Sequence, residues 1–308
     1  MATRALLIQS RRHFSNGAIQ NVTMVGGGLM GSGIAQVAAQ AGNNVTILEV
    51  GQEQLKNAQN IIGQSLGRVA KRLHKDDPNA ANKFIEETTS RIQGVTDLAR
   101  SVENSDLVVE AVVENMELKH KIFKELDEAA PQKTLFASNT SSLSIAEIGS
   151  VVQRKDRFGG LHFFNPVPVM RLLEVIRTPD TSEQTHQTLM RWGKSIGKTC
   201  VTCKDTPGFI VNRLLVPYLA EAARMLERGD ATAEDIDTAM KLGAGHPMGP
   251  LELLDYTGLD TGVFIMEGWH RKYPDNPLFK PVELQKKLVA QGRLGRKSGR
   301  GFYDYRKL

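Results

Sequence analysis

Cysteine is scarce in this sequence, which has only Cys200 and Cys203 among 308 residues. A single Cys-x-x-Cys pair cannot complete a four-ligand zinc site, and no second such pair or His-x-x-x-His pattern supplies the missing ligands. The pair also lies inside a β-like stretch at 199–203 rather than at the start of a helix, where thioredoxin-type redox pairs lie. We therefore expect two small, partly buried thiols in a reducing compartment, and no metal site.

Long apolar runs are also missing. Gly or charged residues interrupt every candidate before about 18 residues, the length that a membrane-spanning helix requires. The charge excess is small as well: it is +5, and Arg4, Arg11 and Arg12 account for three of these five charges. So weak an excess does not favour nucleic-acid binding. We expect no membrane insertion and no nucleic-acid partner.

Acidic residues are absent from the first 48 positions, and the first of them is Glu49. Residues 1–20 contain arginine and serine but no acid, a composition typical of mitochondrial transit peptides. The apolar residues 5–8 are too few for a secretory signal, and the sequence around Arg12 and Phe14 resembles a matrix-protease cleavage site. We predict a transit peptide and disordered start over 1–20 and a location in the mitochondrial matrix. The alternative is an N-terminus that is merely unstructured.

The pattern from residue 22 to 50 is an apolar run, a glycine-rich turn, a helical stretch and a second apolar run, which predicts a βαβ unit. A charged, helix-favouring segment at 52–91 follows, and its break at 76–79 indicates an inserted helical pair. Later apolar runs alternate with helical stretches and lie at 107–109, 135–137, 158–164 and 172–176. We predict an α/β domain over 21–203, with a Rossmann-type, doubly wound, mostly parallel sheet.

After Cys203 no strand pattern is evident, and helices are predicted at 208–228 and 232–242, the second with Thr232 as its N-cap. The prediction is an all-α C-terminal domain over 204–308. Its first helix has an apolar face, made of Ile210, Leu214, Leu215, Tyr218 and Leu219. Such a face is either plain core or a subunit contact, and we expect a homodimer.

Glycines cluster directly after the first predicted strand, in a Gly-x-Gly-x-x-Gly turn that includes Gly26, Gly28, Leu29, Met30 and Gly31. The three glycines of such a turn permit the tight bend, the approach of a pyrophosphate and the packing of the helix on the strand. Turns that bind nothing also match this pattern. Here, however, a strand precedes it, a helix follows it, and Glu49 ends the second strand 23 positions after Gly26. Because a carboxylate there binds ribose hydroxyls and repels a 2′-phosphate, the predicted cofactor is NAD rather than NADP.

A histidine and a glutamate flank a proline-rich turn symmetrically. His162 and Glu174 each lie six positions from Pro168, so folding about that turn brings them opposite each other on adjacent strands. A carboxylate beside an imidazole fixes the tautomer and raises the basicity of the ring, as a general base requires. The alternative is a surface histidine and an unrelated glutamate.

Two further polar clusters interrupt apolar surroundings. The first, 138–142, follows the strand at 135–137 and therefore lies at the carboxyl edge of the sheet, where ligands of open α/β sheets bind. It could instead cap the helix expected at 144–148. The second is Asn212, a polar residue at a helix start near the domain boundary, for which a purely structural hydrogen bond is an equal alternative.

Six stretches of the chain, taken together, closely resemble the L-3-hydroxyacyl-CoA dehydrogenase family in its mitochondrial short-chain form. They are VGGGLMGSGIA, FASNTSSLSI, GGLHFFNPVPVMRLLEVI, DTPGFIVNRLL, GAGHPMGPLELLDYTGLD and GRKSGRGFYDY, and the resemblance covers residues 22–305. It implies an NAD-dependent enzyme of fatty-acid β-oxidation that oxidises the 3-hydroxyl of an acyl-CoA to a ketone. It further implies His162 as the base, Glu174 as its partner, and Ser141 and Asn212 as groups that hold the substrate oxygen.

The resemblance also implies cofactor contacts on the nicotinamide side for Glu114 and Lys119, and a cofactor-side position for Lys297. Ser65 and Arg72 match positions that contact coenzyme A, although a basic helix face is usually just solvated. One departure concerns the acid at position 49, where mitochondrial members commonly have the shorter Asp. This difference leaves the preference for NAD intact and changes the expected ribose contacts.

Two other functions compete with this prediction. One is a different dehydrogenase on the same scaffold, either a biosynthetic 3-hydroxybutyryl-CoA dehydrogenase or a sugar-acid dehydrogenase related to lens crystallins. The other is an NAD-sensing or structural protein without turnover. The transit-like N-terminus and the basic helical pair favour β-oxidation, and the presence of a base with its partner disfavours a mere binding module.

Overall fold

The computed structural model describes residues 19–306, so the predicted cleavage near Phe14 and nearly all of the predicted transit peptide lie outside the described residues. Ile19 is buried in the core and accepts a hydrogen bond from Asn43, so the folded domain extends at least two residues before the expected boundary at 21. The chain forms two compact units that divide between Thr206 and Pro207. The expected division after residue 203 falls inside the last strand of the first unit, which runs to Lys204.

The first unit is built on an eight-stranded sheet, with strand order β3-β2-β1-β4-β5-β6-β7-β8. The β6–β7 pair is antiparallel and all other neighbouring pairs are parallel. The strands are β1 Asn21–Val25, β2 Asn44–Leu48, β3 Ile92–Val95, β4 Leu107–Glu110, β5 Leu135–Ser138, β6 Phe158–Phe163, β7 Leu172–Arg177 and β8 Thr199–Lys204. The predicted Rossmann-type, mostly parallel sheet is thus confirmed.

Helices connect the parallel strands of this sheet. They are α1 Leu29–Gln40, α2 Gln52–Leu73, α3 Pro78–Thr89, α4 Leu98–Val102, α5 Met116–Ala129, α6 Ile145–Ile148 and α7 Glu183–Ser195. The predicted helical pair is α2 and α3, between β2 and β3. Its break has a local cause: Pro78 starts the second helix and the carboxylate of Asp77 accepts the backbone N–H of Ala80.

The central strands are buried along their whole length, because helices cover both faces of a parallel sheet. This burial explains why β4, β5 and β6 appear in the sequence as continuous apolar runs rather than alternating ones. The carboxyl ends of parallel strands lie at the same edge of the sheet. Polar residues that end neighbouring strands are therefore next to each other at this edge. Glu110 of β4 and Ser138 of β5 are paired there by the strand register.

The second unit is helical, with α8 Val211–Arg228, α9 Ala233–Gly243, α10 Pro250–Thr257, α11 Leu259–Lys272 and α12 Glu283–Ala290. Its β-structure within 207–306 is limited to two isolated bridges near the C-terminus, as expected. Thr232 caps α9 as predicted, and its hydroxyl accepts the N–H of Asp235. The expected helix start at 208 is wrong: α8 starts at Val211, because Gly208 and Phe209 have left-handed φ values of 77° and 54°.

Within residues 19–306, no helix combines the length and the hydropathy needed to cross a membrane.

Candidate active site

The glycine turn after β1 leaves an open space before α1. A Cβ atom on Gly31 would lie 1.8 Å from the carbonyl oxygen of Gly26, so the third glycine is required for the helix to approach the turn. Gly28 is the N-cap of α1, and a Cβ there would meet nothing within 4 Å. The first turn of α1 has no capping side chain and no acid. These features fit the binding of a pyrophosphate. Leu29 is exposed beside this space, and Met30 packs against the core.

Glu49 directly follows β2, and its carboxylate lies at the glycine turn. Its Oε1 atom accepts the backbone N–H of Gly27 at 2.5 Å, and Oε2 accepts that of Val50 at 3.2 Å. The acid is therefore held next to the turn where a dinucleotide would bind, in the position that a ribose-binding carboxylate requires.

His162 and Glu174 form a buried pair on β6 and β7. They are direct partners in the antiparallel register, as the spacing about Pro168 predicts, and Nδ1 of the ring lies 2.6 Å from Oε2 of the carboxylate. His162 is 4% exposed and Glu174 is fully buried. The alternative of a surface histidine with an unrelated glutamate is therefore wrong. A carboxylate that accepts from Nδ1 fixes the neutral tautomer whose lone pair is on Nε2.

A buried lysine supports the turn between these two strands, and sequence analysis missed it. The ammonium of Lys198 donates to the carbonyl oxygens of Val167 at 2.5 Å and Met170 at 2.8 Å. Burial lowers the pKa of Lys198 to about 8. In the sequence Lys198 is simply a charged residue just before a strand, and nothing in its neighbourhood indicates a link to a turn about 30 residues earlier.

The polar loop after β5 is tied to its neighbours on both sides. The side-chain oxygen of Asn139 accepts the N–H of Phe163, the residue after His162, at 2.9 Å. The N–H of Ser141 donates to the carboxylate of Glu114 at 3.0 Å. The alternative that a residue of 138–142 caps the following helix is wrong, because the N-cap of α6 is Ser144, whose hydroxyl accepts the N–H of Glu147.

Asp205 is a second residue that sequence analysis missed. Its carboxylate accepts hydrogen bonds from the hydroxyl of Ser144 at 2.7 Å and from the N–H groups of Ile145 and Ala146 at 3.1 and 2.8 Å. It thus satisfies the free N–H groups at the start of α6, just beyond the loop that carries Ser141. An acid directly after the β-like stretch at 199–203 and Lys204 was the available signal.

A buried charge cluster lies at the carboxyl edge of β4, and we call Glu110, Glu114 and Lys119 the edge cluster. The Nζ atom of Lys119 is 2.6 Å from Glu110 and 3.4 Å from Glu114. Lys119 is 1% exposed and Glu110 is fully buried, whereas Glu114 is about a third exposed. Sequence analysis singled out Glu114 and Lys119 but missed Glu110, although a charged residue that ends the apolar run 107–109 was a visible signal.

Ser65 and Arg72 lie seven residues apart on α2, and therefore on one face of this helix. Ser65 is half-buried and Arg72 is exposed, as are the neighbouring Lys71 and Lys75. These cations form an exposed basic patch near the C-terminal end of α2. Such a patch is suited to phosphate groups.

In the second unit, Asn212 is the second residue of α8 and is half-buried. Lys297 forms an ion pair with Asp260 at 2.6 Å. The C-terminal segment that carries Lys297 is held by the buried Asp255, which accepts the N–H groups of Phe302 and Tyr303. Burial raises the pKa of Asp255, although these hydrogen bonds oppose the shift.

The two cysteines are free thiols on β8. Three positions apart in a strand, their side chains point to opposite faces, so they are not placed to form the disulfide of a redox pair. Burial raises the pKa of both Cys200 and Cys203, which lowers their reactivity. Among residues 19–306, no cluster of three or more His, Cys, Asp or Glu side chains is positioned to hold a metal ion.

Two family models match this chain. The model for the NAD binding domain of 3-hydroxyacyl-CoA dehydrogenase matches residues 21–206, and the model for the C-terminal domain of the same enzyme matches residues 208–305. The first match covers the glycine turn, Glu49 and the His162–Glu174 pair, and the second covers Asn212 and Lys297. NAD is therefore the cofactor of the domain that carries the glycine turn.

Similar proteins are known from animals and bacteria. Rat mitochondrial hydroxyacyl-coenzyme A dehydrogenase is 57% identical, and the human protein of the same name is 55% identical; each alignment covers 94% of this chain and 92% of the relative. The crystal structure of (S)-3-hydroxybutyryl-CoA dehydrogenase from Ralstonia eutropha is 42% identical with a TM-score of 0.88, over 94% of this chain and 99% of that one. The chain therefore belongs to the 3-hydroxyacyl-CoA dehydrogenase family of NAD-dependent oxidoreductases.

Proposed function

We propose that this protein oxidises the 3-hydroxyl group of an L-3-hydroxyacyl-CoA to a ketone in fatty-acid β-oxidation, with His162 as the general base. The observation that carries the proposal is the buried pair of His162 and Glu174, with Nδ1 and Oε2 2.6 Å apart. A binding module has no need of an imidazole oriented by a buried carboxylate.

The reaction would proceed from this pair. Because Glu174 accepts from Nδ1, Nε2 of His162 takes the hydroxyl proton, and the buried carboxylate stabilises the imidazolium that forms. NAD, when bound, accepts the hydride that leaves C3 of the substrate. We assign to the side chains of Ser141 and Asn212 the binding of the substrate oxygen as it becomes a carbonyl.

The dinucleotide would be held at the glycine turn, by Gly26, Gly28, Leu29, Met30 and Gly31. Glu49, beside this turn, would bind the ribose and repel a 2′-phosphate, which makes the protein selective for NAD. Glu114, Lys119 and Lys297 complete the proposed cofactor side. In a titration, Glu49→Ala should narrow the difference in affinity between NAD and NADP, whereas equal affinities in the wild-type protein would contradict the assignment.

The acyl-CoA substrate is supported by the exposed basic patch on α2. We assign Ser65 and Arg72 to coenzyme A, where a cation of this patch would pair with a phosphate. Relatives named for hydroxyacyl-coenzyme A and for 3-hydroxybutyryl-CoA support the same substrate class.

We further propose a mitochondrial location, in the matrix, with residues 1–20 as the transit peptide. The rat and human relatives named as mitochondrial support this location. A homodimer is proposed from the apolar face of α8, where Leu214 is 69% exposed. For the two domains, which the sequence predicted over 21–203 and 204–308, we propose NAD binding in the first and dimerisation and substrate binding in the helical second.

One assay tests the function. The oxidation of NADH is followed with acetoacetyl-CoA, with longer 3-ketoacyl-CoAs and with free keto forms of sugar acids. Reduction of the CoA thioesters is expected, with activity on longer chains favouring β-oxidation and activity confined to acetoacetyl-CoA favouring the biosynthetic alternative. Binding of NADH without turnover of any of these compounds would overturn the proposal.

A further inference from the structure

The edge cluster contains two carboxylates but a single ammonium. Lys119 is 1% exposed, and its Nζ atom has three acceptors: Glu110 at 2.6 Å, Glu114 at 3.4 Å and the carbonyl oxygen of Val112 at 3.5 Å. An ammonium has three N–H donors, so those of Lys119 are engaged within the protein. A direct bond from Lys119 to a cofactor would therefore have to break one of these contacts.

Glu110 is fully satisfied as well. Its Oε1 atom accepts from Lys119 at 2.6 Å and from the N–H of Val112 at 2.7 Å, while Oε2 accepts the hydroxyl of Ser138 at 2.6 Å. Glu110 has no solvent exposure. Because its charge is neutralised by Lys119, the cluster keeps one unit of negative charge, on the partly exposed Glu114. In a poorly solvated position this charge acts over several ångströms.

The cluster lies between the two parts of the proposed site in the first unit. Glu110 is paired in register with Val25, the residue before the glycine turn, and the carbonyl group of Ala111 lies against Gly26. On the other side, Glu114 accepts the hydroxyl of Thr140 at 2.9 Å and the N–H of Ser141 at 3.0 Å. The charge of the cluster is therefore placed beside the cofactor turn and the loop proposed for the substrate.

We infer that Glu110 and Lys119 set the charge of this edge, so that it favours the positively charged nicotinamide ring of NAD⁺ over the neutral ring of NADH. The inference rests on the proposed function, which puts Glu114 on the nicotinamide side. Glu110 is then a positioning residue: it acts through Lys119 and Glu114 and does not contact the cofactor, whereas Lys119 keeps its proposed place on the cofactor side. The quantity that they control is the ratio of the dissociation constants for NADH and NAD⁺.

Two single mutants of the full protein change the net charge of the edge cluster in opposite directions, and a double mutant restores it. Glu110→Gln removes one negative charge, Lys119→Met removes the positive one, and the double mutant Glu110→Gln/Lys119→Met restores the wild-type net charge. NAD⁺ is titrated by calorimetry and NADH by its fluorescence, at the same pH and salt concentration for every variant. Glu110→Gln should weaken NAD⁺ relative to NADH on the order of tenfold, and Lys119→Met should shift the ratio the opposite way. The double mutant should return towards the wild-type ratio.

A matched control is available on the same helix. Asp127 lies eight residues after Lys119 on α5, roughly 12 Å along the axis, and forms a buried ion pair with Arg154 at 2.6 Å. Asp127→Asn should lower the unfolding temperature without changing the ratio of the two dissociation constants.

The inference is wrong if Glu110→Gln leaves the ratio of the two dissociation constants unchanged, or if both single mutants shift this ratio in the same direction. It is also wrong if the double mutant has the same ratio as Glu110→Gln. If Lys119→Met does not fold, the ratios measured for Glu110→Gln and for the double mutant are sufficient to test the inference. Failure of the proposed function gives a different result, since the wild-type protein would then bind neither nucleotide or reduce none of the 3-ketoacyl-CoAs.

Discussion

The hairpin of β6 and β7 and the helix α2 carry functional residues in opposite ways. In the hairpin, His162 and Glu174 are buried and bonded to each other, and Lys198 holds the turn between the strands. On α2, Arg72 is exposed to solvent in a patch of like charges. The hairpin fixes a geometry before any ligand arrives, whereas α2 offers charge without a fixed geometry. We therefore expect substitutions in the hairpin to lower kcat, and substitutions on α2 to raise KM.

The largest effect is expected at His162. His162→Gln removes the base, so kcat should fall by about 10²- to 10⁴-fold. The affinity for NADH, measured by fluorescence titration, should stay within a factor of about two, because the glycine turn and Glu49 are untouched. Turnover near the wild-type value would exclude the histidine from the mechanism.

Glu174→Gln tests whether the two residues act as a unit. The amide still bonds to the ring but no longer stabilises an imidazolium, so kcat should fall by about 10²-fold, towards the lower end of the range for a lost base. The double mutant His162→Gln/Glu174→Gln should be little worse than the poorer single mutant. If the two losses multiply instead, the pair is not coupled in catalysis.

Lys198→Met tests the support of the hairpin rather than its chemistry. The change leaves the buried carbonyl oxygen of Val167 and the partly buried one of Met170 without their donor, which should destabilise the protein by about 1–3 kcal/mol in urea unfolding. The loss of kcat should be smaller than at Glu174. Lys194→Met, at an exposed position on α7, is the control and should change neither quantity.

The smallest effect is expected on α2. Arg72→Ala should raise KM for acetoacetyl-CoA by about two- to fivefold, equivalent to roughly 0.5–1 kcal/mol for an exposed ion pair, and leave kcat unchanged. The difference from wild type should shrink as salt is added, since salt screens exposed charges. Lys56→Ala, at the other end of the same helix, should have no effect on KM. A loss of kcat in Arg72→Ala would contradict the contrast between the two regions.

The sequence could predict the pairing of His162 with Glu174 because both lie on one hairpin, where the distance to the turn determines the register. It could also predict α2 and α3, since a local signal at Asp77 and Pro78 separates them. The contacts that sequence analysis missed join distant segments. Glu110 meets Ser138 only through the register of two parallel strands, which no spacing along the chain reveals.

Lys198 and Asp205 were missed for the same reason, since their partners lie 28 to 31 and 59 to 61 residues away. The start of α8 was predicted three residues early for a different reason. Glycine commonly adopts left-handed φ values, but Phe209 does so against its intrinsic preference. The periodicity of apolar residues does not indicate such a backbone conformation. Contacts between distant parts of the chain thus determine these features, which the periodicity of apolar residues could not predict.

The antiparallel direction of β7 has a consequence for how this protein can change over evolution. Side chains alternate between the two faces of a strand, so inserting or deleting one residue between Phe163 and Leu172 would turn Glu174 to the opposite face if the turn kept its shape and β7 shifted by one position along β6. The β7–β8 pairing, which matches Glu174 with Val201, opposes such a shift, so a change in length would instead distort the turn that Lys198 holds. The segment between these strands can therefore vary in composition much more freely than in length. Its length is constrained by the chemistry of two residues that lie outside it.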